Sequence, residues 1–187
     1  MRPACAVVWL GFSMLASAQL PVEGNASSSF RVVIYEDLQC PDCADFRVML
    51  DKQLLPKYGK KVAFEHRDFP LTKHAWARKA AIAGRMIAEK DPELSLEWRR
   101  FALGRIKEIT ADNFHDKLMA WGKEHGINPV KLSAALDDKA LNDAVEKDLQ
   151  EGLARGVGKT PTVFVDGEPF VETFTVEEIS AALDKAK

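Results

Sequence analysis

Residues 31 to 46, RVVIYEDLQCPDCADF, do most to limit what this chain can fold into. Arg31 to Tyr35 is a short β-branched run without polar alternation, the pattern of a strand covered on both faces. Cys40-Pro41-Asp42-Cys43 follow, and then Phe46, Leu50 and Leu54 repeat every four residues with Met49 on the same face. That spacing predicts a helix from Pro41 to Leu55. Pro41 fits its first position, where a missing N–H costs nothing, and Pro56 is expected to stop it. Lys61 to Asp68 reads as a second strand, with Val62, Phe64 and His66 on one side. Strand, helix and strand in about 40 residues make a βαβ unit with a parallel pair.

A helical block comes next. Trp76, Ala80, Ala83 and Ile87 share one face of a helix expected over His74 to Lys90. Asp91-Pro92 and Asn128-Pro129 are each a cap followed by a first-turn proline. Leu141, Val145, Leu149 and Leu153 mark the last helix, which Gly156 can end in a left-handed conformation. Thr162 to Val165 and Pro169 to Val171 then read as strands around an Asp166-Gly167 hairpin turn. Thr175 with Glu178 forms a capping box that opens a final helix. The fold class is α/β, in the order βαβ, helical block, ββα. A 187-residue chain with 47% hydrophobic residues and a net charge of -2 suits one such domain. Its mixed charges form no basic stripe for nucleic acid.

The N-terminus has a different character. After Arg2, residues 4 to 16 carry no charge, and Ala16-Ser17-Ala18 is a small-x-small cleavage pattern. Residues 1 to 18 read as a signal peptide, with export and a mature start near Gln19. Residues 19 to 29 are small and polar and are expected to be a flexible lead-in. Cys5 leaves with the signal peptide, so the mature chain keeps Cys40 and Cys43 in a compartment where disulfides persist.

Two residues between cysteines are too few for a loop-closing staple and match a redox pair. Cys40 lies where strand gives way to helix, so the first-turn N–H groups favour its thiolate. Cys40 is therefore the expected nucleophile and Cys43 the resolving thiol. Asp42 puts a negative charge in the same turn. At roughly 7 Å and an effective dielectric near 40, it opposes the thiolate by about 1 kcal/mol. A copper or zinc carrier is the reading from another class. Two cysteines supply half of a zinc site, and His66, His74, His115 and His125 contain no closely spaced pair.

Gly156 to Thr162, GVGKTPT, superficially suggests a phosphate loop. The glycine such a loop needs at position 153 is Leu153, and the stretch opens a strand rather than a helix. It reads instead as a tight loop in which Pro161 starts the strand.

CPDC after an apolar strand, FPL further on, a helical block, and TPT before a strand-turn-strand together resemble the DsbA-like branch of the thioredoxin superfamily, over residues 30 to 187. The resemblance implies a thioredoxin fold (βαβ…ββα) with a helical insertion at about 71–155. It also implies an extracytoplasmic thiol–disulfide oxidoreductase that needs no cofactor beyond a Cys40–Cys43 disulfide. Such a protein acts on cysteine-containing protein substrates, and a membrane or soluble redox partner resets it. A dedicated reductase for one partner is the enzymatic alternative. A cis bond at Thr160-Pro161 would face the cysteines and present the Thr160 backbone to substrate. Two departures are visible. Ile34 occupies the place of the thioredoxin buried acid, six residues before Cys40, leaving Glu36, Asp37 or Glu65 as nearby acids. Asp42 stands where strongly oxidising DsbA proteins carry histidine. Thr160 is more typical of isomerase-like and broader members, but the short stretch before residue 30 cannot hold their dimerisation domain, so a monomer is expected.

Overall fold

The computed structural model describes residues 21–186. The expected signal peptide, residues 1 to 18, lies outside them. Five strands form one sheet in the order β1-β3-β2-β4-β5. They are β1 (Val22–Gly24), β2 (Arg31–Glu36), β3 (Ala63–Asp68), β4 (Thr162–Val165) and β5 (Glu168–Val171). The β2–β3 pair is parallel, Ile34 facing His66, and the other pairs are antiparallel. β2 and β4 bury nearly every residue, as strands covered on both faces must.

Helix α1 (Pro41–Met49) follows β2, and α8 (Val176–Lys185) packs on the same side of the sheet. Phe46, Leu50 and Leu54 join Val32, Ile34, Val163 and Ile179 in one apolar cluster. The inserted block holds α3 (Ala77–Lys90), α4 (Pro92–Gly104), α5 (Phe114–Glu124), α6 (Pro129–Ala135) and α7 (Lys139–Ala154). Its core is aromatic. Trp76 stacks on Phe114 at 5.6 Å, and Trp98 tilts against Trp121 at 5.2 Å. Cys40 and Cys43 belong to this second cluster, so the pair lies at the seam between block and sheet. Gly152 lets α7 approach the sheet, because a Cβ there would come within 2.7 Å of Phe69 and 2.9 Å of Tyr35.

Two expectations need correction. Residues 22–24 are strand β1 rather than flexible lead-in. The His66 N–H donates to Pro21 and the Asn25 N–H to Val62, each at 3.0 Å, which covers the edge of β3. Pro56 does not stop its helix either. Leu50–Leu54 is a π-helical turn in which Leu55 N–H reaches back to Leu50. The shift restarts the ladder, and Pro56 falls in the opening turn of α2 (Leu55–Tyr58), where its missing N–H does no harm.

Beneath the sheet ends lies a buried ionic network. Arg99 of α4 donates to Glu36 of β2 at 2.8 Å and also pairs with Asp68 of β3. Arg85 of α3 binds Asp68 and Asp148 of α7. Arg47 of α1 binds Glu23 of β1. His66 faces Glu36 from Nδ1 and Glu23 from Nε2, each at 2.8 Å. Burial pushes its pKa down, but the two carboxylates outweigh burial and raise it, which favours the doubly protonated ring that can donate to both. Removing one partner of such a pair strands a buried charge, which costs about 3–5 kcal/mol. Arg99→Met should therefore lose stability on that scale in urea unfolding. A loss below about 1 kcal/mol would show that the network does not hold the block to the sheet.

Candidate active site

Cys40 is the N-cap of α1, in extended conformation (φ -84°, ψ 126°), with Pro41 in the first turn. Its carbonyl accepts from Ala44 N–H at 3.1 Å and its N–H donates to Asp37 at 3.0 Å. Both cysteines are free thiols. Cys40 is 4% exposed and lines an open cavity of about 320 Å³, whereas Cys43 is fully buried.

The surroundings separate the two thiols chemically. A hydrogen bond from the Cys43 thiol is the largest influence on Cys40. The Thr160 side chain and the backbone N–H groups of Cys43 and Asp42 add to it, and against the opposing effect of burial they lower the Cys40 pKa to about 6. Burial pushes Cys43 well above the ordinary thiol value, and Cys40 adds to the rise. Asp37 N–H donates to Cys43 Sγ at 3.4 Å.

Thr160 meets Cys40 from the other side of the site, and the Thr160-Pro161 bond is cis. The Cys40 thiol donates to the Thr160 carbonyl at 3.2 Å. The Thr160 hydroxyl is buried and, among the described residues, has no hydrogen-bond partner in this thiol state. It can donate to the sulfur once the proton leaves. Pro161 accepts from Glu172 N–H at 2.8 Å, and Glu172 carries the left-handed φ of 55°. Asp42 lines the same cavity, where the hydrogen bond and charge of Glu172 raise the pKa of Lys159 and the charge of Asp42 adds a smaller push.

The structure thus brings together all six residues singled out from the sequence: Cys40, Pro41, Asp42, Cys43, Thr160 and Pro161. Others were not foreseen in these roles. Asp37 accepts from Gln39 N–H, Leu71 N–H and His74 Nδ1 at 2.7 to 2.8 Å, which ties the turn before Cys40 to the loop after β3. Burial raises the pKa of Asp37 despite those three donors. Gln39 accepts from Trp76 N–H at 2.8 Å and extends the same tie. Lys159 pairs with Glu172 at 2.6 Å beside the cis bond. An acid three residues before a CxxC pair was the one available signal for Asp37.

Comparison with known proteins places this geometry. A family model described as Thioredoxin matches residues 17–185. The chain belongs to the thioredoxin family. Its fold matches DsbA structures, with a helical insertion between the two halves of the sheet. The crystal structure of the thiol-disulfide exchange protein alpha-DsbA2 from Wolbachia pipientis superposes with a TM-score of 0.76 at 22% identity, covering 90% of this chain and 87% of that one. The Na(+)/H(+) antiporter NhaA of Herminiimonas arsenicoxydans is 25% identical over 89% of this chain, which spans 25% of that protein. A Rickettsia bellii protein provisionally named a protein-disulfide oxidoreductase is 27% identical over 88% of this chain, which spans 63% of that protein.

With a Cys40 pKa of about 6, alkylation of the reduced protein should rise with pH through that value and level off by about pH 7. A hydrogen bond to a charged group is worth about 1.5–3 kcal/mol. Thr160→Val should therefore move the Cys40 titration up by roughly one pH unit or more. Measuring alkylation rate against pH in both proteins checks this. Identical curves would mean that the hydroxyl does not reach the thiolate.

Proposed function

We propose that this chain is an extracytoplasmic thiol–disulfide oxidoreductase that exchanges disulfides with cysteine-containing protein substrates through Cys40-Pro41-Asp42-Cys43. The observation that carries the reading is the asymmetry of the pair. One sulfur has a low pKa and opens on a cavity, and the other is sealed with a high pKa. Exchange needs that division of labour. In the oxidising direction a substrate thiolate attacks Cys40 Sγ of the Cys40–Cys43 disulfide. The S–S bond breaks, and Cys43 leaves and takes up a proton. A second substrate thiolate then attacks the substrate sulfur of the mixed disulfide and expels Cys40 as a stabilised thiolate. Two electrons pass from substrate to protein, and a separate redox partner must remove them before the next cycle. No cofactor enters these steps.

Thr160 and Pro161 shape the substrate side of the site, with the Thr160 carbonyl already bonded to Cys40 in the resting thiol. Export is supported by Ala16-Ser17-Ala18, and no helix of the described residues is long and apolar enough to cross a membrane. A monomer suffices for this chemistry. The metal-carrier reading gains no support from geometry, since no third His, Cys, Asp or Glu among the described residues joins the sulfurs in a ligand group.

Cys43→Ala should accumulate mixed disulfides through Cys40, because attack survives and resolution does not. Cys40→Ala should accumulate few. Non-reducing gels followed by peptide mapping would read this. Adducts mapped mainly to Cys43 in the Cys40→Ala protein would reverse the assignment.

A further inference from the structure

Two cavities at this end of α1 share Asp42 and Glu172 in their walls. The one that holds Cys40 is bounded by Thr160, Lys159, Asp42 and Glu172. The other, of about 440 Å³, continues from the same Asp42 and Glu172 along the cleft between α1 and the segment joining β5 to α8. Its floor is apolar, with Met49 beside an edge-to-face pair of Phe46 and Phe174 at 5.5 Å. Its rim carries the carboxylates of Asp42, Asp45, Glu172 and Glu178 and, among the described residues, no basic side chain. The bases of the first cavity are Lys73 and Lys159, and Lys159 is already engaged by Glu172.

The groove therefore has a direction. At the sulfur end the carboxylates of Asp42 and Glu172 are balanced by Lys73 and Lys159. One helical turn along α1 the groove becomes acidic over an apolar floor. Asp45 stands three residues beyond Asp42, roughly 4.5 Å along the helix axis, which one or two residues of extended chain span. Two of the acids are already engaged: the Glu172 carboxylate pairs with Lys159 at 2.6 Å, and Glu178 accepts its cap bond from Thr175 N–H at 2.7 Å. Asp45 is exposed, with no side-chain hydrogen bond among the described residues, so its charge is free for an incoming group.

We propose that this groove selects substrates in which the reactive cysteine is followed or preceded, within a few residues, by a basic side chain next to a large apolar one. The apolar side chain would lie on Phe46, Met49 and Phe174, and the basic one would meet the acidic rim. This rests on the thiol–disulfide reading above and gives it a substrate class, a cationic polypeptide segment. The redox step is unchanged. Two peptide thiols are oxidised to a disulfide as the Cys40–Cys43 disulfide is reduced.

The test uses two synthetic dithiol peptides of equal length, one with Lys-Phe and one with Glu-Phe beside a cysteine. Each is oxidised by the disulfide form of the full chain. Each rate is divided by that peptide's rate with the neutral hydroxyethyl disulfide, which removes differences in thiol reactivity. At low salt the cationic peptide should react about tenfold faster. The advantage should fall to about threefold or less near 0.5 M salt. Asp45→Lys should abolish most of the preference. Asp116→Lys on α5, the same charge change at an exposed site outside both cavities, should leave it intact. Equal normalised rates, or a preference that both variants reduce alike, would overturn the proposal while leaving the exchange activity standing. Failure of the protein to oxidise either peptide would overturn the activity, and the selectivity with it.

Discussion

The helical block is held to the sheet by charge as well as by apolar packing, and the position of the cysteines depends on where it sits. Arg99 reaches from α4 to the ends of two neighbouring strands, Glu36 on β2 and Asp68 on β3. Both arginine and acceptors are almost fully buried, so each charge left water and needs its partner. Glu36 is the last residue of β2, and the turn that delivers Cys40 begins with the next residue. Asp37 and Gln39 then bind the loop that enters the block. Network and turn make one continuous fastening, from β1 through Glu23 and His66 to α7 through Asp148.

Within that frame the two thiols differ for local reasons. Cys40 sits at the first-turn N–H groups of a helix whose N-terminal dipole favours negative charge. Cys43, one turn deeper, sees the interior and the neighbouring sulfur. Glu36 adds to the rise at Cys43, but it is held as a carboxylate by His66 and Arg99, which overcome its own burial. An ion pair that fixes the block thus also biases the resolving thiol toward its protonated form.

The βαβ start, the capped helices, the hairpin and the cysteine pair were legible in the sequence because each rests on local chemistry: apolar period, Pro41 after a strand, Asp91 and Asn128 as caps. Strand β1 was not, since three residues show no period and its support comes from edge bonding and a Glu23 partner 43 residues away. Pro56 misled because a π-helical turn can absorb a proline that a regular ladder cannot. The ionic network was hidden for a similar reason. Arg85, Arg99 and Asp148 are charged residues on helices, and only tertiary contacts 17 to 63 residues distant put them inside. The sequence raised the expectation that Asp42 opposes the thiolate but could not show Lys159 and Glu172 lining the same cavity.

The central claim is that thiolate stabilisation at Cys40 biases the pair toward its reduced form and makes its disulfide an oxidant. A pKa of about 6 in place of about 9 favours the reduced state roughly tenfold at pH 7, worth about 30 mV. Equilibrating the pair with a glutathione buffer and reading the reduced fraction measures this directly. The account predicts a potential less negative than the roughly −270 mV of thioredoxin and, with Asp42 opposing the thiolate, more negative than about −120 mV. A value at or below −270 mV would contradict it.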